Sequence, residues 1–152
     1  MDQGPLVREK IDAGAKFLKL FQRYAPIRAA FWLKPAEDDG RWNLYLWAEE
    51  FTDQNFDLAY GEVLRLARTL QDPNFDPFEV RILRGKNALA QAAVDIYKRY
   101  PAKIATHYNG RSFGGISVDG VYIYPPPAVT FPRQKIRKTK GPSAAGAKRS
   151  RQ

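Results

Sequence analysis

His107 is the only histidine in a chain of 152 residues, and it stands four residues before Arg111 and five before Ser112. A histidine can pass a proton near neutral pH, and an arginine beside a hydroxyl can hold a phosphate. His107, Arg111 and Ser112 therefore form a candidate acid/base and phosphate-holding set. The spacing specifies no second acid or base; Asp119 is the carboxylate a fold could bring close. The plainer reading is a partly exposed strand histidine beside Tyr108, and the chain reads as a non-enzyme.

Two glycine-bearing segments could cradle an anion. Gly85-Lys86-Asn87 precedes an apolar, helix-spaced run. A Gly and a Lys at a helix start can hold a phosphate. A phosphate-binding loop needs Ser or Thr after the Lys and a glycine five residues before the second Gly. Here those positions are Asn87 and Val80. The better reading is a helix capped by Asn87 after a turn at Gly85. Asn109-Gly110-Arg111-Ser112-Phe113-Gly114-Gly115 could expose amides beside Arg111. A hairpin connection with a bulge explains its glycines more simply.

Metal chemistry finds few ligands. Cysteine is absent, which removes disulfides, thiolate sites and a cysteine nucleophile. One histidine leaves zinc with carboxylates alone. Acids gather at Glu37-Asp38-Asp39 and at Glu49, Glu50 and Asp53, but their spacing matches no calcium loop. These read as a solvated hairpin tip. No metal and no cofactor is expected.

Aromatic residues supply the next candidate. Trp32, Tyr45 and Trp47 fall in two runs rich in aromatic and β-branched residues, Ile27–Lys34 and Arg41–Ala48. Alternation would place these three on one sheet face, opposite Phe31, Leu33, Leu44 and Leu46. Such a face can stack bases, pack against a helix, or bind a second chain. Bulky residues on both sides imply that at least one strand is covered twice or meets a partner.

The strongest charge signal lies at the C-terminus. Residues 125–152 hold eight of the 25 Lys and Arg and none of the 16 Asp and Glu. The eight are Arg133, Lys135, Arg137, Lys138, Lys140, Lys148, Arg149 and Arg151. The formal charge of +9 therefore belongs to this segment, and residues 1–124 are near neutral. Three prolines open it, and Val129, Phe131 and Ile136 are its large apolar residues. Too little surface can be buried to offset ordering entropy, so a disordered basic tail is expected. A flexible polycation contacts phosphates and releases condensed counterions. The segment has too few apolar residues to insert into a membrane.

The elements that must position these residues follow from periodicity. A helix is predicted over Leu6 to Tyr24, stopped by Pro26, with Gly14 marking a close contact. A hairpin across Pro35–Gly40 follows. A second helix spans Phe56 to Leu70, capped by Asp53 or Asn55. A strand carries Phe78, Val80 and Ile82, and a third helix runs from Ala88 to Tyr100. Strands over Ile104–Tyr108, Gly115–Val118 and Val121–Tyr124 are joined by Asn109-Gly110 and Asp119-Gly120.

The fold class is α+β. A mostly antiparallel sheet of about five strands, in the order α-β-β-α-β-α-β-β, carries helices on one face. Hydrophobic residues make up 44% of the chain, enough for a single core. Residues 1–124 form one domain and 125–152 the tail. Without an apolar run of 18 residues or a leader, no membrane span or export is expected. The cysteine usage suits the cytoplasm. The function these features favour is a non-enzymatic accessory protein whose tail binds nucleic acid without sequence preference. The alternatives are a protein-interaction module, such as a homodimer through the aromatic face, and a small enzyme or regulator around His107, Arg111 and Ser112.

Overall fold

A computed structural model describes residues 6–36, 41–99, 106–108 and 110–125. Its elements are α1 (Arg8–Phe21), β1 (Ala29–Pro35), β2 (Asn43–Trp47), α2 (Phe56–Leu70), β3 (Val80–Leu83), α3 (Ala88–Arg99), β4 (Thr106–Tyr108), β5 (Ser112–Phe113) and β6 (Ile116–Ile123). The fold is α+β, with a six-stranded mixed sheet in the order β3-β2-β1-β6-β4 and β5 paired to β6 beside it. β1 pairs antiparallel with both β2 and β6. β2 and β3 run parallel because the connection between them carries α2 across the sheet.

β1 decides the layering. Ala29 to Leu33 are all buried, which a strand achieves only when both faces are covered. Ala30 and Trp32 join α1 and α2 in one cluster with Leu44, Leu46, Val80 and Ile82. Ala29, Phe31 and Leu33 join α3 in the other, with Phe113, Val121 and Ile123. The helices thus lie on both faces, not on the single face the sequence suggested.

The α1/α2 face is tied together by hydroxyls. Trp32 Nε1 donates to the Tyr124 hydroxyl at 2.9 Å, and that hydroxyl donates to the Ile11 carbonyl at 2.7 Å. Gly14 sits against this hydroxyl, where a Cβ would collide with the tyrosine and the Trp32 indole. The helix-interior glycine marks the predicted close contact. Its cost of about 1 kcal/mol relative to Ala is offset by the docked ring. On the α3 side, the Tyr97 hydroxyl donates to the Tyr124 carbonyl at 2.8 Å.

α1 ends at Phe21, short of Pro26, because the Gln22 side chain turns to accept the Ile27 amide at 3.1 Å. α2 keeps its predicted bounds. Asn55 stands at its cap position but uses its side chain on Thr52 and Glu50. Asp53 faces Arg84 at 3.5 Å instead.

Asp119-Gly120 does not turn the chain. β6 runs straight through it, Gly120 paired with Lys34, and the register shifts by one between Lys34 and Pro35. Gly120 lies under the Trp42 ring, where a Cβ would come within 2.8 Å. The glycine therefore serves a bulge and a close approach. The reversal occurs at Gly114-Gly115, both at positive φ.

Candidate interaction surface

The strand aromatics do not share one face. Directly paired residues of an antiparallel ladder point the same way. Trp32 pairs with Leu44, and Phe31 with Tyr45. Trp32 is therefore on the α1/α2 face, 1% exposed, with its indole nitrogen satisfied. It is core and has no surface to offer. Tyr45 and Trp47 lie on the α3 face with Phe31 and Leu33 and are half-buried. Counting alternation separately along each strand cannot fix this, because the hairpin register sets the relative phase.

What remains is a surface on β2 and β3 beyond α3. The Tyr45 ring stacks on Phe31 at 5.4 Å and 9°. Arg81 pairs with Tyr45 in register and is exposed. Burial pushes the Tyr45 hydroxyl up and the Arg81 charge partly opposes it. The hydroxyl stays protonated at neutral pH and cannot act as a nucleophile. Trp47 Nε1 donates to the Gly85 carbonyl at 2.9 Å, fixing the indole against the turn before α3.

The two glycine-bearing loops meet at this end of the molecule. Gly114 packs on Ala88 and Leu89 in the first turn of α3, where a Cβ would come within 2.8 Å. Gly85 turns at φ +57, and Asn87 caps α3 by accepting the Leu89 and Ala90 amides at 2.9 and 3.3 Å. The cap occupies amides that an anion would need. The helix start is thus closed by its own sequence, as the capping reading predicts.

His107 stands apart from Arg111 and Ser112. It pairs with Tyr122 and packs edge-on to that ring at 4.9 Å. Ser112 pairs with Ser117, five residues along the same strand. No hydrogen bond or ion pair among the described residues joins His107 to Arg111, Ser112 or Asp119. His107 faces the α1 side, near Tyr122, whose hydroxyl is pushed up by burial and the Asp12 charge and opposed by Arg8. Among the described residues, no hydroxyl is hydrogen-bonded to His107.

Among the described residues, no group of three or more acids or histidines could hold a metal ion. Glu37, Asp38 and Asp39 lie outside the described residues, as do the eight basic residues from Arg133 to Arg151. Glu49 forms a bidentate pair with Arg28 at 3.0 and 3.3 Å. Arg28 is 5% exposed, so the pair closes the end of the sheet. No described helix is long and apolar enough to cross a membrane.

Two surface features escaped the sequence reading. Alternation predicts Phe78 in a half-buried strand, but it is 76% exposed. Asp76 accepts its amide at 2.9 Å and starts a 3-10 turn over Pro77–Glu79. The Asp-Pro pair was the available signal. Tyr60 guards the open edge of β3. Its hydroxyl accepts the Ile82 amide and donates to the Val80 carbonyl, both at 3.0 Å. One phenol thus replaces a neighbouring strand and blunts edge pairing.

No protein-family model, curated protein or solved structure matches the chain.

Proposed function

We propose that the protein is a non-enzymatic, nucleic-acid-associated accessory protein whose residues 125–152 contact phosphate backbones without sequence preference. One observation carries the reading: this segment has eight basic residues and no acid, while the rest is near neutral. A polycation of that kind gains affinity by releasing counterions from phosphates. The half-exposed Tyr45 and Trp47 beside Arg81 are compatible with a polynucleotide partner. The test compares full-length protein with a 1–125 truncation in oligonucleotide binding across a salt series. Binding that weakens steeply with salt and is largely lost on truncation supports the reading. Salt-independent binding by the truncated protein overturns it.

A second reading is a protein-interaction module. Its supports are the exposed Phe78 and the half-exposed Tyr45 and Trp47. Sedimentation of wild type against Phe78→Ser separates the two readings: an interaction module loses self-association or a protein partner while oligonucleotide binding is unchanged.

A further inference from the structure

The near-neutral total of the folded region conceals an uneven distribution. No acid occurs between Asp12 and Glu37, a stretch that includes Lys16, Lys19 and Arg23. Helical spacing puts these three on one side of α1, and all are exposed. Arg23 lies in the turn just after the helix. Lys16 meets Asp72 at 3.4 Å. Lys19 and Arg23 enter no ion pair or side-chain hydrogen bond among the described residues. Asp12 is about 10 Å along the axis from Lys19, roughly one Debye length at physiological salt.

An exposed aromatic follows Arg23 directly in the chain. Tyr24 is 43% exposed, and its ring is held by Phe21 at 5.4 Å. A braced ring with one side open is a stacking platform, and adjacent unpaired cations are phosphate contacts. The root of the basic segment also packs on α1, roughly 18 Å along the axis from Arg23. Tyr124, the residue before Pro125, docks under α1 through the Ile11 carbonyl and Gly14. From Pro125 to Arg133 the chain can span at most about 28 Å, so charges of both regions can lie along one strand.

We infer that the C-terminal end of α1, with Lys19, Arg23 and Tyr24, is a second contact site for single-stranded nucleic acid, in addition to the one proposed for the basic segment. This rests on the proposed nucleic-acid reading and locates a part of it on the folded body. Lys19 and Arg23 bind phosphates, and Tyr24 stacks a base. Cations at a helix C-terminus also suit the helix dipole, so the test must read more than folding.

The experiment uses the full chain and a fluorescent single-stranded 20-mer of mixed sequence, read by anisotropy over a salt series. Lys19→Gln with Arg23→Gln flattens the slope of log affinity against log salt by about 1.4, since each single-strand phosphate contact contributes roughly 0.7. Lys19→Arg with Arg23→Lys keeps the wild-type slope, and Tyr24→Leu weakens binding about fivefold or more with the slope unchanged. Circular dichroism checks that each variant is folded. A wild-type slope in the double Gln variant, with binding lost when Arg137 and Lys138 are made Gln, overturns this site and leaves the basic segment as the binder. No oligonucleotide binding by wild type, or binding only to anionic lipid vesicles, overturns the site together with the reading beneath it.

Discussion

The two faces of the sheet are built differently. The α1/α2 face is closed over a tryptophan and a tyrosine whose polar atoms satisfy each other and the Ile11 carbonyl. The α3 face is closed over Phe31 and Ile123 but leaves Tyr45 and Trp47 half-covered toward β3. The same residue types therefore do opposite work. A ring enclosed with its polar atom paired fixes the fold, whereas a ring left partly open is available to a partner.

Substitutions sharpen that contrast. The largest difference is expected between Trp32→Ala and Trp47→Ala. Removing the fully buried Trp32 costs about 3–5 kcal/mol, and Trp47, half-exposed, costs markedly less. Urea unfolding of both variants reads the gap; equal losses would show that the faces are equally structural.

Tyr124→Phe and Tyr45→Phe come next. The first leaves the Trp32 N–H without its acceptor, a loss of about 1–3 kcal/mol. The second removes a hydroxyl that makes no hydrogen bond among the described residues and stays within about 0.5 kcal/mol. Tyr60→Phe lies between them, at about 1 kcal/mol. It also frees the β3 edge, so sedimentation should show more self-association. Loss of stability without association would mean that another feature guards the edge.

The alkaline limit gives a smaller, graded test. Burial raises the Tyr97 and Tyr124 hydroxyls well above the usual tyrosine range. An unfolded tyrosine ionises near pH 10, so above that pH the unfolded chain releases protons that the folded one keeps. Stability is full below about pH 10 and declines as pH rises further. Tyr124→Phe flattens this decline in unfolding curves taken across the range; an unchanged decline would place the sensitivity elsewhere. The smallest effect is Glu62→Gln on the exposed α2 surface. Its carboxyl is held low chiefly by the Arg65 hydrogen bond, yet solvent screens so exposed a pair, and urea unfolding should show the smallest change of the series.

Local features were legible in the sequence. The bounds of α2, the Asn87 cap, the Gly85 turn and the crowded Gly14 all follow from spacing, side-chain hydrogen bonding and missing Cβ atoms. These depend on neighbours a few residues away. The charge of residues 125–152 is also a property of sequence alone. Tertiary structure decided which face each aromatic joins, because the β1–β2 register couples the phases of two strands. It decided that Asp119-Gly120 stays in β6, because pairing with Lys34 and the Trp42 ring outweigh a turn preference. It parted His107 from Ser112 by laying the chain out along β6, so closeness in sequence did not become closeness in space. It also set α3 on the far face, since a helix's apolar stripe says that it needs a sheet to cover, not which side of the sheet it will take.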